Sequence, residues 1–280
     1  MHNVVPRLMA LDWHDAVTRP DFINLFDVYD AGLEKHREHL AKANIFIGNS
    51  GARNAILFPR QFEEMQAPTH LTFHGSNNVL AIDPNTGLYG DIGFESDGVA
   101  VIGGSQHTAH LSLEMYAGST LLWGRGSRTY GSRIWVHGAR RLVVGDDCLF
   151  SDGIEIRTSD HHSIIDLDTY EQINEPADVV IGRHVWVGPN VSILKGANVG
   201  DGAILAARAL VRDTVPPAEM WGGVPARSLR RRVSWVDSHP ADPEEIERLR
   251  ALMERAEARP VPWARSEPPP RELDDLNAVV

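Results

Sequence analysis

The run IGRHVW VGPNVS ILKGAN VGDGAI LAARAL VRDTVP, Ile181 to Pro216, divides into sixes. Its first positions, Ile181, Val187, Ile193, Val199, Leu205 and Val211, are all branched aliphatics. Its fifth positions, Val185, Val191, Ala197, Ala203, Ala209 and Val215, are small throughout. A helix repeats its apolar positions every 3.6 residues and a half-buried strand every second one, so neither generates this pattern. A period of six fits a triangular coil with three short faces, each burying one large aliphatic and seating a small residue near a corner. Three hexads close one coil, so the run makes two. Successive coils stack their strands in parallel and line the aliphatics up in columns. The stretch predicts an all-β solenoid.

Working outward, VGDDCL, FSDGIE and IRTSDH, Val144 to His161, form one more coil led by Val144, Phe150 and Ile156. Before it lies a looser repeat: NNVLAIDPN, DGVAVIGGS, GSTLLWGRGS and ARRLVVGDDC, whose members Ile82, Ile102, Trp123 and Val144 are 20, 21 and 21 residues apart. Each unit follows a second short strand candidate, beginning at Leu71, Ile92, Leu111 and Ile134. These read as widened coils, so the solenoid spans residues 68–235. Residues 1–67 lack the repeat and form an N-terminal cap region, with a helix expected from Phe22 to Ala43 and a strand at IFIGNSG after it. A solenoid needs such a cover for its open end. Residues 236–280 hold a C-terminal helix and a tail. Asp242 suits the N-cap, Pro243 the first turn, and Glu245 completes a capping box. Ile246, Leu249, Leu252, Met253 and Ala256 make an apolar stripe, and Pro260 follows the helix. The tail from Ser266, rich in proline and acid, is expected to be mobile.

A formal net charge of -11 over 280 residues gives no electrostatic case for nucleic acid or an anionic membrane. The only cysteine, Cys148, rules out an internal disulfide framework and fits a reducing compartment. The opening MHNVVPRLMALDWHD lacks a signal-peptide pattern, and no apolar stretch approaches the ~20 residues that span a bilayer. The expected location is cytoplasmic.

Five elements together resemble the hexapeptide-repeat acyltransferases. They are the hexads, SD-x-H-x-I at Ser159 to Ile164, IN-x-P at Ile173 to Pro176, HVWVG at His184 to Gly188, and GGVPAR at Gly222 to Arg227. The likeness is closest to the branch of bacterial polysaccharide and sugar O-acetyltransferases and xenobiotic acetyltransferases, and it covers roughly residues 140–235. The resemblance implies a left-handed parallel β-helix, a homotrimer with active sites in the clefts between subunits, and acetyl-CoA lying along the coils. It implies a carbohydrate acceptor and calls for no metal.

The hexads stop at His161 and resume at Ile181, so a projecting loop, residues 162–180, leaves the coil. A long insertion in a rigid repeat commonly carries function. His162 matches the histidine of the resembling motif, and His161 falls on its variable position. Moving an acetyl group from a thioester to a hydroxyl requires a base for the hydroxyl proton; a neutral imidazole supplies it and can return the proton to the departing thiolate. His162 is therefore the candidate general base. The partner that orients its ring stays open between Asp160, Asp166 and a backbone carbonyl. Trp186 occupies a hexad's sixth position, so its indole points outward. By resemblance it borders the acceptor and its backbone N–H holds the thioester oxygen; packing between subunits is the alternative. Small residues at Ala206, Ala207, Gly222 and Gly223 leave room for a pantetheine arm. Of the arginines in GGVPARSLRRR, resemblance favours Arg227 and Arg232 for the CoA phosphates. LAARAL carries Arg208 and Ala209 where the family often has a glycine-serine pair. Cys148 is read as structural.

Three other readings share the architecture. An amine acceptor, such as an amino-sugar, would make the chain an N-acetyltransferase. A zinc site of the carbonic-anhydrase type would need three converging histidines, and the phases of His107, His110, His137, His161, His162 and His184 look unrelated. A non-enzymatic solenoid for glycan binding or assembly would bind no CoA.

Overall fold

The computed structural model describes residues 4–11, 16–19, 26–59, 67–83 and 86–257. The tail from Ser266 and Pro260 lie outside them. The chain is a parallel β-solenoid, and its registers match the hexads one for one. Val144 pairs with Ile181 and Ile181 with Val199; Phe150 pairs with Val187 and Val187 with Leu205; Ile156 pairs with Ile193 and Ile193 with Val211. All nine are buried, as are the small fifth-position residues between them. The earlier members align equally, Ile82 with Ile102, Ile102 with Trp123 and Trp123 with Val144. The last hexad is cut short. Val215, a fifth-position residue, takes the place below Val199.

The widened coils have a simple cause. Each has one short strand, such as Val99–Ile102, and one long strand, such as Ser105–Met115. The handover to triangular coils occurs on Arg128–Val136. Arg128 and Thr129 pair with Leu149–Phe150, while Ser132 to Trp135 pair with Ile154–Arg157. The register shift between Thr129 and Ser132 is the bend where one long face becomes two. From there the three faces are stacked separately: Leu149–Phe150 with Trp186–Val187, Ile204–Leu205 and Glu219–Gly222; Ile154–Arg157 with Ser192–Ile193 and Leu210–Val211; Arg141–Val144 with Val179–Ile181, Asn198–Val199 and Thr214–Val215.

Coil stacking also extends ahead of residue 68. Ile45–Ser50 pairs in parallel with Thr69–Phe73, and Ala55–Pro59 with Val79–Ile82. The expected helix from Phe22 to Ala43 is a correction: Phe26–Asp30 is a strand, antiparallel to Ala55–Pro59, and the helix is confined to Glu34–Ala41. FDVYD buries Phe26 against the outer face of the sheet and Tyr29 in the solenoid core, which outweighs local helix propensity. Residues 20–25 fall outside the described ones. A short helix, Val4–Met9, lays Leu8 with Val17 and Phe26 over the outer face of the nine-stranded sheet, on Leu57, Ala81, Val101, Leu122 and Val143. The strands AILFP, VLAI and VAVI are consequently buried on both faces.

The C-terminal helix runs from Pro243 to Glu257. Asp242 caps it by accepting the Glu244 N–H at 2.8 Å. Glu245 does not close the expected box. It accepts the Ser238 N–H (3.0 Å) and hydroxyl (2.9 Å), which hold its carboxyl below the usual range, and Ser238 takes the Asp242 N–H instead. Ala256 is buried, Leu249, Leu252 and Met253 are half-buried, and Ile246 is exposed. No helix among the described residues is long and apolar enough to cross a membrane.

Candidate active site

The loop leaves the coil after Arg157 and rejoins it at Val179. Its base is closed by Thr158, whose hydroxyl donates to the His137 carbonyl (3.0 Å) and accepts the His137 N–H (2.7 Å), while the Ala177 N–H donates to the Thr158 carbonyl (3.0 Å). Ser159 Oγ accepts the His161 N–H at 3.1 Å, and the chain turns sharply at His161, with φ of 64°. The two adjacent histidines thereby part. His161 turns inward among Tyr116, Trp135 and His137, with ring centroids 5.4, 6.1 and 5.4 Å away. Burial, then the nearby His137, Arg157 and His162, push its pKa down, so it is held neutral. His162 is exposed, and its ring has no hydrogen-bond partner among the described residues.

The backbone around His162 is nonetheless fixed. The His162 N–H donates to the Asp160 carbonyl (2.8 Å), and the His162 carbonyl accepts from Asn174 Nδ2 (2.8 Å). Asp160 is engaged by Asn174 Nδ2 (2.8 Å) and by Lys195 Nζ (2.5 Å). Asp166 accepts the N–H groups of Asp168 and Thr169, which keeps its carboxyl below the usual range. None of the three orienting partners left open by the sequence, Asp160, Asp166 or a backbone carbonyl, bonds the His162 ring among the described residues. Asn174, quoted above only as part of IN-x-P, and Lys195, an unremarked hexad position, carry the loop base.

Trp186 points outward as its hexad phase required, with a relative exposure of 36%. It packs on Trp235, the ring centroids 6.3 Å apart. Its backbone N–H donates to the Ala203 carbonyl at 3.0 Å. The expectation that this N–H holds a thioester oxygen is corrected: the coil ladder already uses it. Within one chain Trp186 and His162 lie apart. Trp186 stands on the face of Leu149–Phe150, whereas His162 follows the face of Ile154–Arg157, beyond the next corner.

The proposed cofactor residues divide into two groups. Ala206, Ala207, Gly222 and Gly223 meet at one corner, where the Ala206 N–H donates to the Trp221 carbonyl (2.7 Å) and the Leu210 N–H to the Gly223 carbonyl (3.0 Å). A Cβ on Gly222 would lie 3.0 Å from that of Ala206, and Gly223 has a φ of 96°, so both positions favour glycine. Arg227 pairs with Gly222 across the antiparallel strand Arg227–Arg231 and extends an exposed guanidinium 3.5 Å from Asp213. Arg232 lies at the opposite end of that hairpin, against the corner at Pro217 and Ala218 and the C-terminal helix. Ala207 and Gly223 are exposed at this corner, and Leu229 lies against Gly222. Cys148 is buried, and desolvation pushes its thiol up to about 12, consistent with a structural part.

The stacked hexads give the chain the architecture of the hexapeptide-repeat β-helix proteins. The bacterial transferase hexapeptide (six repeats) family matches residues 178–213. The chain is 32% identical over 101 residues to a polysialic acid O-acetyltransferase of Escherichia coli O1:K1 / APEC, covering 36% of this chain and 33% of that one. It is 41% identical over 85 residues to the polysialic acid O-acetyltransferase of Neisseria meningitidis, covering 30% and 36%. The matched segments therefore span about a third of these relatives' length. The crystal structure of the polySia-specific acetyltransferase NeuO superposes with a TM-score of 0.65 at 24% identity, over 75% of this chain and 99% of that one. The two share the left-handed β-helix fold. The resemblance read from the five sequence elements is thus met in both sequence and fold.

Proposed function

We propose that this chain is an acetyl-CoA-dependent O-acetyltransferase acting on a hydroxyl of a polysaccharide or sugar by direct transfer. The observation that carries the reading is its similarity to polysialic acid O-acetyltransferases from two organisms. The geometry of His162 fits the chemistry: an exposed imidazole on a backbone tied to a rigid coil. His162 removes the hydroxyl proton as the acceptor oxygen attacks the thioester carbonyl. It then gives that proton to the departing CoA thiolate, so no covalent enzyme intermediate is needed. The corner of Ala206, Ala207, Gly222 and Gly223 seats the pantetheine arm, and Arg227 faces the phosphates; Arg232 contributes at most from the neighbouring corner. Trp186 borders the acceptor through its indole.

The working form is a homotrimer. His162 and Trp186 stand on different sides of one coil, so a cleft containing both needs a second subunit. Ile164, Ile165, Leu167, Tyr170 and Ile173 on the projecting loop are exposed apolar side chains suited to bury against one. Calorimetric titration with acetyl-CoA tests the reading without knowledge of the acceptor. It should give saturable binding near one per subunit; no binding at millimolar ligand refutes it. A glycan screen should then show His162→Ala losing ~10²–10⁴-fold in transfer rate, with His161→Ala less affected.

A further inference from the structure

Resting on that reading, we infer that Asn174 is the positioning residue of the base, and that Asp160 and Lys195 hold Asn174 in place. Asn174 is only 7% exposed although it lies in a projecting loop. Its carboxamide uses both ends. Oδ1 accepts the Ile164 N–H at 2.7 Å, and Nδ2 donates to the His162 carbonyl and to Asp160 Oδ2, each at 2.8 Å. The chain from Asp160 to Ile164 is thus folded around one planar head group, which grips the backbone at His162 and again two residues later. Asp160 Oδ2 also receives the Lys195 ammonium from the following coil, so the clamp is anchored outside the loop.

The residue type follows from the valence. The position needs one acceptor and two donors at short reach, which asparagine alone supplies. Aspartate keeps the acceptor and loses both donors, and it sets a second carboxylate against Asp160. Alanine loses all three bonds. Because the His162 ring has no partner of its own among the described residues, the place of its nitrogens depends on where the backbone holds Cα. A displacement of ~1 Å at a reacting group can cost ~10²-fold in rate, and the three bonds of Asn174 are what oppose it.

A merely structural role and a positioning role give different signatures. None of the bonds of Asn174 belongs to the strand ladders of the coil, so Asn174→Asp and Asn174→Ala should melt with the parent protein. Both should lower kcat about 10–100-fold while KM for acetyl-CoA stays within twofold. Turnover is read as CoA thiol released from acetyl-CoA, with polysialic acid as acceptor and with water alone. Hydrogen exchange at the Ile164 amide should accelerate in both variants. In the double variant Asp160→Asn, Asn174→Asp, residue 160 donates to residue 174, and kcat should recover at least threefold over Asn174→Asp alone. The inference is overturned if His162→Ala abolishes turnover while both Asn174 variants keep kcat within twofold, or if their losses come with a lowered melting point or a raised KM. Full turnover by His162→Ala would instead overturn the assignment of the base, and this inference with it.

Discussion

His184 should clasp the C-terminal segment to the solenoid, and the clasp should weaken as pH rises. Its Nδ1 lies 2.7 Å from Asp147 Oδ2 and its Nε2 2.9 Å from the Trp235 carbonyl. Both neighbours accept, so the imidazolium, with both ring nitrogens donating, is the form that satisfies both bonds. It stacks on Trp235 at 4.4 Å and 8°, and the Trp235 indole N–H returns a bond of 2.8 Å to the His184 carbonyl. Burial alone would lower the His184 pKa. The bonds to Asp147 and Trp235, with the charges of Asp147 and Asp237, outweigh it and raise the pKa above its ordinary 6.5. The docked state therefore binds more protons than the free one, so docking is strongest below about pH 6.5 and weakens as pH climbs through the raised value. His184→Asn removes the ring without backbone strain, because asparagine tolerates the φ of 53° found there. The Trp235 carbonyl loses its partner, costing about 1–3 kcal/mol. The stack contributes about 0.5–1.5 kcal/mol, and the Asp147 bond little, because that carboxylate is 62% exposed. A loss near 3 kcal/mol is roughly a hundredfold in the opening equilibrium. Native-state hydrogen exchange of the Trp235 indole and the amides of Pro243–Glu257 reads it as protection factors, which remove the intrinsic pH dependence. Unchanged protection in His184→Asn, or equal protection of the parent at pH 6 and pH 9, would refute the clasp.

Three further outcomes are expected. Cys148, buried with its thiol at about 12, should resist thiol reagents until the protein unfolds; rapid labelling of native protein would show that this face of the coil opens. Ala207→Trp, on the exposed corner, should raise KM for acetyl-CoA at least tenfold without moving the melting point, and an unchanged KM would remove the cofactor from that corner. Leu205→Ala, at 0% exposure, should cost about 2–5 kcal/mol in denaturant unfolding, and a loss below about 0.5 kcal/mol would contradict its place in the central column.

Some of the site was legible before any coordinate was known, because it obeys the period. The hexad phase set Trp186 outward, and the break after His161 marked the loop. Other parts depend on residues far apart in the chain. Asn174 meets Asp160 across 14 residues, and Lys195 comes from another coil. Nothing in INEP says which atoms its asparagine faces. The fate of the Trp186 N–H was open to inference, since a residue in a coil strand normally gives its N–H to the ladder. The two histidines of DHHS are told apart in sequence by motif position alone, and their different surroundings come from the left-handed turn at His161. The arginine run did not reveal that Arg227 and Arg232 would flank different corners, because that depends on the strand Arg227–Arg231 folding back on Glu219–Gly222.

By itself the sequence determined the solenoid and its register, since a column of aliphatics must recur once per face and a slip would turn polar residues into the core. The strands AILFP, VLAI and VAVI are buried on both faces. Only the tertiary structure decided what covers them: Leu8, Val17 and Phe26, brought back from the N-terminus. It also decided where the long faces split in two, and which polar groups clamp His162. Local periodicity encodes how a coil repeats, whereas contacts between distant segments are fixed by whichever surfaces the folded coils leave exposed.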